Sequence, residues 1–237
     1  VPIIKQILEA MRIPILQVDG FEADDVIGTV ATRAGVDGIE TFMLTPDKDY
    51  GQLIRPNVYM YRPRHGGGYE QIGEKQIQDK YGIATPQQVI DLLALMGDSA
   101  DNFPGCPGVG EKTAAKLINQ FGSIENMLEH TDEIKGKLRE KVEAAVNDIK
   151  ISKYLATIRL DVPVDIRWDD LKLEQPDIEK LRTIFTELEF KTLLKKFVNE
   201  PQQTQKKDDS QLDLFAVNQD KDQEMPEKTK FDSLKTV

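Results

Sequence analysis

Glu22, Asp24 and Asp25, then Asp47 and Asp49, then Asp98 and Asp101 gather seven carboxylates into three short stretches. Acids so closely spaced repel one another unless protons or divalent cations sit between them. The clusters contain no His or Cys, so their donors are all oxygen and favour Mg²⁺ or Mn²⁺ over zinc. Two such ions about 4 Å apart can activate a water and stabilise the leaving oxygen of a phosphodiester. The last pair runs almost directly into Gly105 and the turn Pro107-Gly108-Val109-Gly110-Glu111-Lys112-Thr113. Gly105, Gly108 and Gly110 let the backbone bend tightly and expose its N–H groups just before a helix start, a natural phosphate site. Lys112 and Lys116 would reinforce it with contacts indifferent to base sequence. Each feature alone has a plainer explanation. An acid at a helix start complements the helix dipole by about 0.3–1 kcal/mol, and a Gly-x-Gly turn between helices is usually just a connection. Three acid clusters followed by a glycine turn favour metal-dependent chemistry on a nucleic-acid phosphodiester.

The elements that must position these residues follow from periodicity. Residues 3–11 read as the end of a helix, and Pro14 to Val18 as a short apolar strand closed by Asp19-Gly20. Ala23, Val26, Ile27, Val30 and Ala31 recur at helical spacing over 23–34. Ile39 to Leu44 reads as a second strand, followed by Thr45-Pro46-Asp47, a helix-opening signal. A strand–helix–strand series of this kind predicts a parallel α/β sheet. In such a sheet the first two acid clusters would meet on the edge formed by the C-terminal ends of the strands. Asn57 to Arg62 and Gly68 to Ile72 read as two more strands around a loop carrying Arg64 and His65. Arg62, Arg64 and His65 could touch a phosphate, although His65 reads first as a loop residue. Helices are expected from Thr85 through Leu95, over 111–121 and 134–154, and as a pair over 176–198. Asp79, Asp91 and Asp148 read as solvated-face residues, Trp168 as core, and Cys106 and Pro107 as structural parts of the turn.

Composition bounds the class. The 237 residues suffice for one large or two modest domains, and the expected division is 1–84, 85–200 and 201–237. The first would be an α/β metal-binding core and the second a helical DNA-binding subdomain. No apolar run approaches the roughly 20 residues needed to cross a bilayer. A single cysteine excludes an intramolecular disulfide and a multi-cysteine zinc site, and fits a reducing, cytoplasmic setting. The net charge of −10 argues at first against a nucleic-acid partner. Clustered acids can be metal ligands, however, while Lys112, Lys116, Lys135, Lys137, Arg139 and Lys141 follow them in sequence.

Three stretches carry a family resemblance: Gly20-Phe21-Glu22-Ala23-Asp24-Asp25-Val26-Ile27-Gly28-Thr29, Thr45-Pro46-Asp47-Lys48-Asp49-Tyr50-Gly51-Gln52-Leu53, and Leu95 through Ala114. In order and spacing they resemble the 5′-nuclease (flap endonuclease) superfamily, most closely the 5′–3′ exonuclease domains of bacterial DNA polymerase I. The resemblance implies a parallel-sheet, PIN-like nuclease core followed by a helical helix–three-turn–helix subdomain. It implies two-metal removal of 5′ flaps and RNA primers in replication and repair, with Mg²⁺ or Mn²⁺ held by all seven acids. DNA with a 5′ flap or nick and RNA primer–DNA hybrids are the implied substrates, in a bacterial cytoplasm near the nucleoid. The glycine turn, with Val109 and Thr113, would grip duplex DNA, and the family often holds a K⁺ ion there. One departure stands out: the strand with the family's first metal-binding aspartate, its successor and the threading arch have no counterpart before Val1. The chain alone is therefore expected to be an N-terminally truncated core of weak or no activity.

After Pro201 the sequence turns rich in Gln, Asp and Lys and reads as disordered linker. Its apolar island Gln211-Leu212-Asp213-Leu214-Phe215 resembles the pentapeptide that docks on bacterial sliding clamps. Two readings follow: a 5′ nuclease, or a non-catalytic DNA-binding and clamp-tethering module. A phosphatase of small phosphoesters would explain the acids but not the glycine turn.

Overall fold

The computed structural model describes residues 1–199, so the 201–237 segment and its pentapeptide lie outside the described residues. Helix α1 (Pro2–Ala10) is followed by an extended stretch and then α2 (Ala23–Val36). Strand β1 (Thr41–Leu44) leads to a 3₁₀ turn, Lys48–Leu53, and on to β2 (Val58–Pro63) and β3 (Tyr69–Ile72). Helices α3 (Glu74–Tyr81), α4 (Val89–Met96), α5 (Glu111–Phe121) and α6 (Ile124–Glu129) come next. They precede α7 (Lys137–Ala144), α8 (Val146–Ala156), α9 (Ile178–Glu187) and α10 (Lys191–Leu194).

Among the described residues the sheet has three strands in the order β1-β2-β3, with β1 and β2 parallel and β2 and β3 antiparallel. The expected strand at Pro14 to Val18 does not form there. Pro14 has no N–H to donate, and Ile13 N–H is already spent on Leu8 O at 2.9 Å, closing α1. Leu16 instead lines an apolar groove of about 470 Å³ with Ile27 of α2 and Phe42 of β1. The acids Glu22 to Asp25 are consequently placed by the start of α2 and not by a strand end. The helix expected over 134–154 is broken at Ala145 into α7 and α8.

One apolar core runs from Met43, Val58 and Met60 of the sheet through Leu92, Leu93 and Leu95 of α4 to Ile118 and Ile149. Helix α4 is buried on most sides, each of those leucines contributing roughly 1.5–3 kcal/mol by leaving water. Asp91 lies within it, only 6% exposed, which corrects its reading as a solvated residue. Lys153 of α8 reaches it at 2.6 Å and supplies the charge that burial demands. Trp168 is half-buried and donates its Nε1–H to Asp37 at 2.8 Å, so it stands at the edge of the fold and not in its core. Among the described residues no helix is long and apolar enough to cross a membrane.

Candidate metal centre and glycine turn

The first acids are set by helix capping. Glu22 occupies the N-cap of α2, and its backbone N–H donates to Asp25 Oδ2 at 3.4 Å. The other oxygen of Asp25 accepts from Arg159 N–H at 2.8 Å, tying α2 to the extended segment after α8. Asp24 Oδ1 accepts from Asp25 N–H at 2.8 Å. Burial pushes the Asp24 carboxyl above its usual range, and the charges of Asp25 and Asp47 add to that effect.

The second cluster is organised by the 3₁₀ turn. Asp47 is its N-cap and accepts from Asp49 N–H at 3.0 Å. Asp49 is half-buried, and its Oδ1 is a buried side-chain atom with no hydrogen-bond partner. Burial raises its pKa to about 6, helped by the charges of Asp47, Asp101 and Asp98 and opposed by Lys48. Asp98, just past α4, accepts from Ala100 N–H at 2.8 Å and forms an ion pair with Lys48. That hydrogen bond from Lys48 holds the Asp98 carboxyl below its usual range. Asp101 is exposed on the same loop.

Asp25, Asp24, Asp47, Asp49, Asp98 and Asp101 thus form a chain of carboxylates that sense one another's charge. Glu22 is exposed at its margin. Among the described residues no three of them converge tightly enough to enclose one ion. The orphaned Asp49 oxygen and the all-carboxylate donor set nevertheless fit a hard divalent cation. Lys48 and Gln52 escaped sequence reasoning although both lie in the stretch that carries Asp49; residue-type spacing gives no hint of what either side chain reaches.

The glycine turn is fixed by close packing. Gly105, at φ +62°, lies so near Gly97 that a Cβ would stand 2.2 Å from Gly97 N. Gly105 N–H donates to the buried Ser152 Oγ at 2.9 Å, and Cys106 N–H to Leu95 O at 2.8 Å, so α4 and α8 hold the turn. Cys106 is 1% exposed, as befits a structural residue. Gly110 is the N-cap of α5, with Val109 buried behind it and Lys112 and Lys116 exposed ahead. The structure adds Lys141 of α7, whose Nζ would meet a Cβ on Gly108 at 2.6 Å. An ammonium therefore stands over the turn from a helix 33 positions further along the chain.

Family models described as the 5′–3′ exonuclease N-terminal resolvase-like domain and C-terminal SAM fold match residues 1–82 and 84–179. The chain belongs to the 5′–3′ exonuclease family. DNA polymerase I of Bacillus caldotenax is 43% identical over 197 residues, covering 82% of this chain and 22% of that protein. The chain thus spans about a fifth of the length of that relative. Among solved structures, a T5 5′-exonuclease with bound divalent metal ions (zinc) superposes with a TM-score of 0.53 at 18% identity. The match covers 76% of this chain and 62% of that one. The catalytic core of Rad2 in complex with DNA substrate gives 0.58 at 18% identity, covering 84% and 69%. At these identities the two structures establish the 5′-nuclease fold and nothing finer.

Proposed function

We propose that the chain is a metal-dependent 5′–3′ exonuclease and 5′-flap endonuclease. Its substrates would be flapped or nicked DNA and RNA primers on DNA, met in replication and repair. The observation that carries this reading is Asp49, a half-buried carboxylate with an unpartnered oxygen whose pKa rises to about 6 among neighbouring acids. A carboxylate that takes up a proton for want of positive charge is a ready ligand for a cation. Glu22, Asp24, Asp25, Asp47, Asp49, Asp98 and Asp101 would hold two Mg²⁺ or Mn²⁺ ions, with Asp49 central. When bound, such ions supply water activation and stabilisation of the departing oxygen. The bound metal in the T5 structure and the bound DNA in the Rad2 structure support the same ligand classes for this fold.

The chain's own residues do the rest. The Asp47 cap fixes the 3₁₀ turn and with it the direction of Asp49. The backbone N–H groups opening α5, with Lys112, Lys116 and Lys141, would take the phosphates of the duplex and hold the scissile bond near the acids. A K⁺ ion at the turn would add to the positive charge that the Lys141 ammonium already brings to Gly108.

Cleavage of a labelled 5′-flap duplex in Mg²⁺ or Mn²⁺ tests the reading. Asp49→Asn is expected to lower the rate at least about a hundredfold, as loss of one charge-stabilising group does, while duplex binding persists. Undiminished cleavage by that variant would remove Asp49 from the chemistry.

A second reading is favoured by the lack of any three acids converging on one point among the described residues. In it the chain binds DNA, and a sliding clamp through Gln211 to Phe215, without turnover. DNA binding with no cleavage even in Mn²⁺ is its signature in the same experiment.

A further inference from the structure

The nuclease reading leaves one charged group at the acid cluster without a task. Among the described residues Asp98 is the one acid of the seven in an ion pair, and its partner is Lys48. The two side chains differ in setting: Asp98 is 11% exposed and Lys48 46%. A lysine reaches in from solvent to a partly shielded carboxylate, and its hydrogen bond favours the ionised form of that carboxylate.

The contact also joins two segments. Lys48 opens the 3₁₀ turn that carries Asp49. Asp98 organises the loop after α4: its second oxygen accepts from Ala100 N–H at 2.8 Å. Its backbone exchanges two hydrogen bonds with Phe103, both at 3.0 Å. One ammonium therefore serves Asp98, while the neighbouring Asp49 keeps a buried oxygen unpartnered. A single positive charge does not satisfy both carboxylates. A divalent ion carries twice the charge and can be shared between two acids. Lys48 can yield without strain, because its flexible stem already leads to solvent.

We propose that Lys48 is a positioning residue, the resident counter-ion of Asp98, holding the 97–103 loop to the 3₁₀ turn until a divalent cation takes over the carboxylate. The inference rests on the metal-centre reading above. It separates Lys48 from an ordinary surface ion pair, which would be worth little and would not exchange with metal.

Two measurements on the same chain test it. Amide hydrogen exchange over 97–103 in EDTA reads the latch, and Mn²⁺ binding followed by electron paramagnetic resonance reads the replacement. Lys48→Met should exchange about tenfold faster in EDTA, a factor equivalent to about 1.4 kcal/mol, and recover protection when Mn²⁺ is added. It should also bind Mn²⁺ about tenfold more tightly, because the competing ammonium is gone. Lys48→Arg should keep the protection, since it keeps the charge. Lys75→Met, which removes an exposed charge on α3, controls for net charge and should change Mn²⁺ affinity less than about twofold, as a screened surface charge does. Unaltered exchange in Lys48→Met, or an Mn²⁺ affinity equal to that of Lys75→Met, overturns the proposal while leaving the metal centre in place. A wild-type chain that takes up no Mn²⁺ sinks the metal-centre reading, and the proposal with it.

Discussion

Asp49, the acid on which the proposed metal chemistry centres, is a liability of the metal-free fold. Its pKa stands at about 6, above the ordinary 3.8, because burial and the charges of its neighbours disfavour the ionised form. Between those two values the folded chain holds more protons at this residue than the unfolded chain does. The contribution of Asp49 to metal-free stability therefore falls as pH rises from about 4 to about 6. Asp98 has the opposite sign: Lys48 lowers its pKa, so its contribution is present above the ordinary value and is lost as pH falls through the lowered one. Thermal melts in EDTA at successive pH values should show wild type losing ground to Asp49→Asn across this window. Saturating Mn²⁺ should reverse the order, because the ionised carboxylate then has its counter-charge. Parallel melting curves for the two proteins in EDTA would mean that Asp49 is not held in the strained, deprotonation-resistant state described above.

At the scale of elements, the acids are positioned by a strap as much as by the sheet. Residues 156–164 cross behind the 3₁₀ turn and α2, and four side chains hold their backbone. Gln52, only 3% exposed, donates to Ala156 O at 2.9 Å and accepts from Ile158 N–H at 3.0 Å. Asp25 accepts from Arg159 N–H, Thr29 Oγ1 from Val162 N–H at 3.2 Å, and Arg33 donates to the carbonyls of Val162 and Val164. Gln52→Leu would keep the volume but strand two buried backbone groups, and should cost about 2–4 kcal/mol in urea unfolding. A loss under about 1 kcal/mol would show that the strap does not depend on it. This strap also marks the limit of what the sequence discloses. The helix expected over 111–121 matches α5 (Glu111–Phe121), and the strand at 39–44 holds β1 (Thr41–Leu44), because apolar periodicity is a local signal. The three acid clusters were legible for the same reason, as runs of one chemistry. Asp91 reads as a solvated residue in the sequence because its partner Lys153 lies 62 positions away. Gln52 gives no local signal, because its partners lie more than 100 positions away. The segment Pro14 to Val18 has the composition of a strand, but composition cannot reveal whether a neighbour accepts it.

Across the whole molecule, a net charge of −10 must be reconciled with the polyanionic partner proposed for it. The reconciliation lies in which charges are already paired. Arg139 is bound to Glu143 at 2.7 Å, and Lys153 to both Asp91 and Glu125. Lys112, Lys116 and Lys141, around the glycine turn, form no ion pair among the described residues. Divalent ions at the acid cluster would neutralise much of the remaining repulsion, so duplex affinity should rise with Mn²⁺ as well as fall with monovalent salt. Each lysine that meets a phosphate releases condensed counter-ions, and the logarithm of affinity falls with that of salt by about 0.9 per contact. Lys141→Ala should weaken duplex binding at every sequence tested and reduce that slope by about 0.9. Arg139→Ala, on the same helix but committed to Glu143, should leave the slope unchanged. Fluorescence anisotropy from about 50 to 200 mM salt resolves a difference of this size. Equal slopes for the two variants would detach Lys141 from the interface and leave the backbone of the turn, with Lys112 and Lys116, to hold the duplex.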